Sequence, residues 1–170
     1  MRKIIFFILA ISLINIQNVK GQKDQTTTYY LIRHAEKDRT NKTNTNPNLT
    51  EIGLQRAQNW AKVFKNVTFD FIYTTNYKRT IQTAQPTALS ANLEILFYNP
   101  RDLYNEEFKE KTTGKTVLIV GHSNTTPQFA NKILGIQKYS DIDDTNNANL
   151  YIITLTNGLK NDILLEINSH

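Results

Sequence analysis

Short apolar runs alternate with amphipathic stretches from Tyr29 to Leu134, and this alternation restricts the chain to an α/β fold. Tyr29–Arg33 reads as a strand. Thr50 is a good helix N-cap, and after it Leu54, Ala57, Ala61 and Phe64 recur at helical spacing, with Trp60 beside them. Phe69–Tyr73 is the next strand, and Tyr77 to about Ser90 reads as a helix that Pro86 should kink or stop. Leu93–Tyr98 reads as a strand, Asp102–Lys111 as a helix and Thr116–Gly121 as the most apolar strand. Pro127–Leu134 then reads as a helix ended by Gly135. Such β and α units imply a mostly parallel sheet with helices on both faces. Leu150–Thr156 and Asp162–Ile167 flank Asn157-Gly158, a hairpin signal. At least one antiparallel strand should therefore lie at the sheet edge.

The first 21 residues read differently. Arg2 and Lys3 precede a mostly apolar stretch, Ile4 to Ile16, and Val19-Lys20-Gly21 offers small residues for cleavage. This is the pattern of a secretory signal peptide, and the stretch is short for a membrane span. Export to the periplasm or medium is the expectation, with residues 22–170 forming one domain and no membrane association after cleavage; an uncleaved anchor helix is the alternative. Losing residues 1–21 leaves 149, enough for a single core. It also removes three cations, so a net charge of +5 falls to +2. With no basic run interleaved with aromatics, nucleic acid is not an expected partner. The chain has no cysteine, which excludes disulfides and lipid attachment through an N-terminal cysteine.

The chemistry sits at strand ends. Of three histidines, His170 is the last residue. The other two, His34 and His122, each follow an apolar run, where open α/β sheets place their ligand crevice. Arg33 precedes the first. Arg79 lies in Tyr77-Lys78-Arg79-Thr80, just beyond the strand-like run ending at Tyr73. Two arginines can grip phosphate oxygens in bidentate fashion. A neutral imidazole can attack phosphorus and form a labile phosphohistidine. His34 is the candidate nucleophile, with one ring nitrogen held by a backbone carbonyl and the other free to attack. His122, if protonated, adds a further donor. Three separate strand ends thus each deliver a group suited to a phosphoryl ligand.

These three segments, Leu31-Ile32-Arg33-His34-Ala35-Glu36, Tyr77-Lys78-Arg79-Thr80-Ile81-Gln82-Thr83-Ala84 and Val120-Gly121-His122-Ser123-Asn124-Thr125, resemble in order and spacing the motifs of the histidine phosphatase superfamily, also called phosphoglycerate-mutase-like. The resemblance covers about residues 28–167. It implies a three-layer α/β/α sandwich, with His34 as the phosphorylated nucleophile and Arg33, Arg79 and His122 completing a phosphate pocket. Ala35 stands where the family usually has glycine. His122-Ser123 departs from the His-Asp of the acid-phosphatase branch, so that branch's proton donor is missing. The mutase-like branch carries an acid after the third strand, which implies Asp102 as donor, with Glu106 as second candidate; both also suit the start of a helix. Glu36 and Lys37 follow the nucleophile and could line the mouth, Glu36 in a structural role.

Other readings fail on their own requirements. Gly114-Lys115-Thr116 imitates the end of a P-loop, but Lys109 stands where the first glycine belongs and the strand follows instead of preceding. Two separated histidines without cysteine or His-Glu-x-x-His argue against zinc, and no Gly-x-Ser-x-Gly elbow is present. The expectation is a metal-independent phosphatase without cofactor, acting through phosphohistidine on His34. Its partner would be a small phosphorylated substrate or a phosphohistidine protein. A catalytically silent module that binds phosphorylated ligands and a phosphomutase of the same fold are the alternatives.

Overall fold

The computed structural model describes residues 25–168; the expected signal peptide at 1–21 lies outside the described residues. Six strands form one sheet in the order β3-β2-β4-β1-β5-β6. They are β1 (Thr26–Arg33), β2 (Phe71–Thr74), β3 (Ile95–Phe97), β4 (Thr116–Gly121), β5 (Asn149–Thr156) and β6 (Leu159–Glu166). β1, β2, β3 and β4 are mutually parallel, and β5 and β6 join antiparallel at the β1 side. The edge hairpin turns at Asn157 and Gly158, both at positive φ, which suits a two-residue turn.

Four helices cover the sheet: α1 (Glu51–Val63), α2 (Lys78–Ala91), α3 (Glu106–Thr112) and α4 (Thr125–Leu134). Alternate residues of a strand face opposite layers, and β4 shows this clearly. Leu118 and Val120 pack with Ile32, Ile72, Trp60, Phe64, Ala84 and Ala88, under α1 and α2. Val117 and Ile119 pack with Leu31, Phe108, Phe129 and Ile133, under α3 and α4. The result is a three-layer sandwich whose central strand is buried on both faces, which is why β4 is apolar from Val117 to Val120.

Element ends differ from the sequence reading for local reasons. α2 runs through Pro86 to Ala91 and stops at Asn92, which takes the left-handed conformation. Only the bond from residue 86 to the Gln82 carbonyl is lost, and burial of Ala84 and Ala88 holds the helix together. α3 starts at Glu106, four residues later than expected. Asn105 caps it by accepting from the Phe108 amide, and residues 99–105 are spent in a turn that includes Tyr104 at φ 54°. Among the described residues no helix is long and apolar enough to cross a membrane.

Thr50 caps α1 as expected, its hydroxyl accepting from the Gly53 amide. Gly53 then lies directly against the chain that follows His34. A Cβ there would fall inside contact distance of the Glu36 carbonyl oxygen, a backbone atom that cannot yield cheaply. Gly53→Ala should therefore destabilise the domain by about 1–3 kcal/mol despite its better helix propensity. Denaturant unfolding checks this; a gain in stability would show that α1 can slide freely relative to the His34 loop.

Candidate active site

The sheet makes its crevice where neighbouring parallel strands send their helices to opposite faces. β4 leads into α4 on one face, while β1 and β2, on either side of it, lead into α1 and α2 on the other. The carboxyl ends of these three strands open a cleft of about 400 Å³ lined by Arg33, His34, Lys37, Arg79, His122 and Asp144 among others. Four residues singled out from sequence, Arg33, His34, Arg79 and His122, are thus brought together.

His34 is buried, and its backbone is pinned on both sides. Its amide donates to the Gly121 carbonyl at 2.9 Å, and its own carbonyl accepts from Asn147 Nδ2 at 2.7 Å. The ring Nδ1 lies 2.7 Å from the Ala35 carbonyl oxygen and must donate to it. That leaves the lone pair on Nε2, the tautomer a nucleophile requires. Burial pushes the imidazole down to about 3, helped by repulsion from His122, Arg33 and Arg79, and opposed by the Ala35 carbonyl.

Arg33 is almost wholly buried, and its guanidinium is held by one loop. Nη1 donates to the carbonyls of Asp143 and Asn146, both at 2.8 Å, and Nη2 to Asp144 Oδ1 at 2.7 Å. Asp144 also pairs with Arg39 at 2.8 Å, and the two arginines hold its carboxyl at about 2. Nε of Arg33 is buried without a partner. Arg33 can therefore meet an anion side-on, through Nε and the remaining proton of Nη2.

Arg79 stacks over the Tyr77 ring with 4.4 Å to the centroid. Among the described residues its guanidinium makes one hydrogen bond, a long one of 3.4 Å to the Thr45 carbonyl, and its Nε is buried and unpartnered. His122 also lines the cleft. Burial, with repulsion from Arg79, Lys37 and Arg33, lowers it to about 4, so it is a neutral donor and not a cation at neutral pH. Its Nε2 is 2.9 Å from Thr75 Oγ1, while Thr80 donates to the Thr75 and Tyr77 carbonyls. Assigning the Thr75 proton to Nε2 leaves Nδ1–H, buried and unpartnered, as a donor. These three buried, unpartnered nitrogens belong to residues that line one cationic cleft, a set suited to an anion with several acceptor oxygens.

The remaining sequence candidates divide between this cleft and other places. Asp102 does not line this cleft. It lies in the turn before α3, with its amide on the Asn99 carbonyl and its carboxylate accepting from Asn105 Nδ2 at 2.8 Å, and it lines two neighbouring hollows. The chain turns away after Pro100, the last residue of this segment to reach the cleft, because Asn105 has to cap α3. Glu106 is exposed and pairs with Lys109. Glu36 pairs with Arg56, two oxygens against Nε, and so ties the His34 loop to α1. Lys37 does line the cleft. The Asp144 and Thr75 contributions went unread because they depend on long-range contacts, 111 and 47 residues apart. Among the described residues no group of three or more His, Cys, Asp or Glu is placed to hold a metal ion.

Two buried neutral histidines make stability depend on pH. The unfolded chain binds protons below about pH 6.5, whereas the folded site resists them down to about 4 or below. Stability should therefore be full above pH 6.5 and fall as pH drops towards 4, by up to about 1.4 kcal/mol per pH unit for each histidine. Urea midpoints at pH 7, 6 and 5 check this. His34→Asn should flatten the profile, and an unchanged slope would mean that His34 is charged in the folded protein.

An α/β sandwich with an anion cleft at its switch point defines a class that embraces many chemistries. Residues 29–99 match the family model of the histidine phosphatase superfamily, branch 1. Over that segment, under half of its length, the chain is similar to the histidine phosphatase superfamily. No curated protein matches its sequence significantly. Solved structures share the fold at low identity. Phosphoglycerate mutase from Bacillus anthracis is 14% identical with a TM-score of 0.63, over 84% of this chain and 93% of that one. Phosphoserine phosphatase from Entamoeba histolytica, solved with 3-phosphoglyceric acid, is 19% identical with a TM-score of 0.59, over 85% and 98%. The mycobacterial glucosyl-3-phosphoglycerate phosphatase is 12% identical with a TM-score of 0.61, over 85% and 100%.

Proposed function

We propose that this protein is a phosphatase that hydrolyses phosphoryl groups through a phosphohistidine formed on His34. The observation that carries this reading is the neutral His34, with its lone pair on Nε2, in the same cleft as three unpartnered buried donors on Arg33, Arg79 and His122. The match of residues 29–99 to the histidine phosphatase family model supports phosphatase-type activity in general terms. In the proposed reaction, Arg33 and Arg79 bind the non-bridging oxygens and His122 Nδ1–H donates to a third. His34 Nε2 attacks phosphorus, and the bond to the leaving oxygen breaks. Charge grows on the equatorial oxygens, so donors already in place and already desolvated stabilise the transition state more than water could. Water then attacks the phosphohistidine and returns His34 to its neutral form.

The reading includes export, supported by Arg2, Lys3 and the apolar stretch from Ile4 to Ile16; N-terminal sequencing of the protein from its native compartment tests that part. The chemistry is tested by mixing enzyme with a phosphate-labelled aryl phosphate and quenching in alkali, where phosphohistidine survives. Transient label on His34 is expected. Saturable phosphate binding without turnover or label would instead identify a silent binding module.

A further inference from the structure

We propose that Lys37 is the proton donor to the leaving group and, once neutral, the base for water attack. This rests on the phosphatase reading above. Breaking a phosphomonoester bond to an alkyl oxygen needs a proton delivered to that oxygen. Among the described residues lining the cleft, the carboxylate Asp144 is committed to Arg33 and Arg39 and stays ionised, since those two arginines hold its carboxyl at about 2. Glu36, in the recess adjoining His34, is clamped by Arg56. Asp102 and Glu106 face other hollows or solvent. Arg33 and Arg79 do not surrender protons, and His122 is neutral.

Lys37 is placed differently from all of these. It lines both the cleft and the adjoining recess, and His34 lines both as well, so the two side chains border the same hollows. Its backbone is fixed by a bridge to Leu49. It is half-buried and forms no ion pair or side-chain hydrogen bond among the described residues. Burial and the cations Arg39, Arg79 and Arg33 lower its affinity for a proton, with Asp144 opposing. A lysine whose proton affinity is lowered in this way is a stronger acid than a lysine in water.

The step balances. The His34 Nε2 lone pair forms the P–N bond while the P–O bond breaks, its electron pair going to the leaving oxygen and the Lys37 ammonium proton following. The alcohol departs and Lys37 is a neutral amine. Water then forms the new P–O bond and gives its proton to Lys37, while the P–N pair returns to His34. Inorganic phosphate leaves, and both side chains are restored.

The test compares an alkyl phosphate, 2-phosphoglycerol, with p-nitrophenyl phosphate, whose leaving group needs no acid. Lys37→Met and Lys37→Arg should each lose about 10²–10⁴-fold in kcat/KM on 2-phosphoglycerol and less than about tenfold on p-nitrophenyl phosphate. Arginine keeps the charge but cannot give a proton, so it separates donation from attraction; if methionine impairs folding, arginine carries the test. Full rescue of the alkyl substrate by Lys37→Arg would show a binding charge and overturn the proposal. Equal losses on both substrates would overturn it too. So would a selective loss in Asp102→Asn, which would return the donor to the loop after β3, or a wild-type enzyme inert on the alkyl substrate. Turnover persisting in His34→Ala on both substrates is a separate outcome, and it refutes the covalent phosphatase reading itself.

Discussion

Replacing His34 with alanine should remove at least about 10³-fold of turnover, roughly 4 kcal/mol of transition-state stabilisation. The chain should still fold. The site loses one neutral ring and one bond to the Ala35 carbonyl, while the strand register that places the loop is unaffected. Because Arg33 and Arg79 remain, inorganic phosphate should still bind within a few-fold of its wild-type affinity. Single-turnover kinetics on an aryl phosphate, with phosphate binding by calorimetry, make the comparison. Residual activity above about a tenth, less than about 1.4 kcal/mol, would sink the covalent mechanism.

The two arginines should separate into different kinds of loss. Among the described residues the Arg79 guanidinium is held by a long contact to Thr45 and by the Tyr77 ring. Arg79→Ala should therefore lose about 10²–10³-fold in kcat/KM with little change in melting temperature. Arg33 anchors the Asp143–Asn146 loop through three hydrogen bonds. Arg33→Ala should lose comparable activity and also about 2–4 kcal/mol of stability, because two carbonyls and a carboxylate lose a buried partner. Lysine at either position should rescue only part, since an ammonium cannot fork. Phosphate inhibiting wild type and both alanine variants equally would remove these residues from the site. Equal melting temperatures for the two variants would deny Arg33 its structural role.

Much of the architecture is legible because it depends on local periodicity. β4 reads correctly from Thr116 to Gly121 since a strand buried on both faces must be apolar throughout. Thr50, Gly135 and Asn157-Gly158 announce ends and turns through backbone conformations that few residues adopt. Pro86 misleads for the opposite reason: propensity is local, and the packing that keeps α2 continuous past it is not.

At the site the division runs along the same line. The sequence by itself determined that Arg33 ends a strand and that His34, Arg79 and His122 follow strands, and hence that a parallel sheet would deliver them to one edge. Only the tertiary structure decided what they are when they arrive. Burial among cations makes both imidazoles neutral, and His122 a neutral donor. Asp144, from a loop 111 residues after Arg33, takes part of its guanidinium and leaves a side-on face for an anion. Asp102 looked like an acid beside the pocket, yet the turn that caps α3 carries it away, while Lys37 is folded in. Proton affinities and free donors depend on which distant segments supply charge and exclude water. Strand order sets that environment, and no stretch of neighbouring residues encodes it alone.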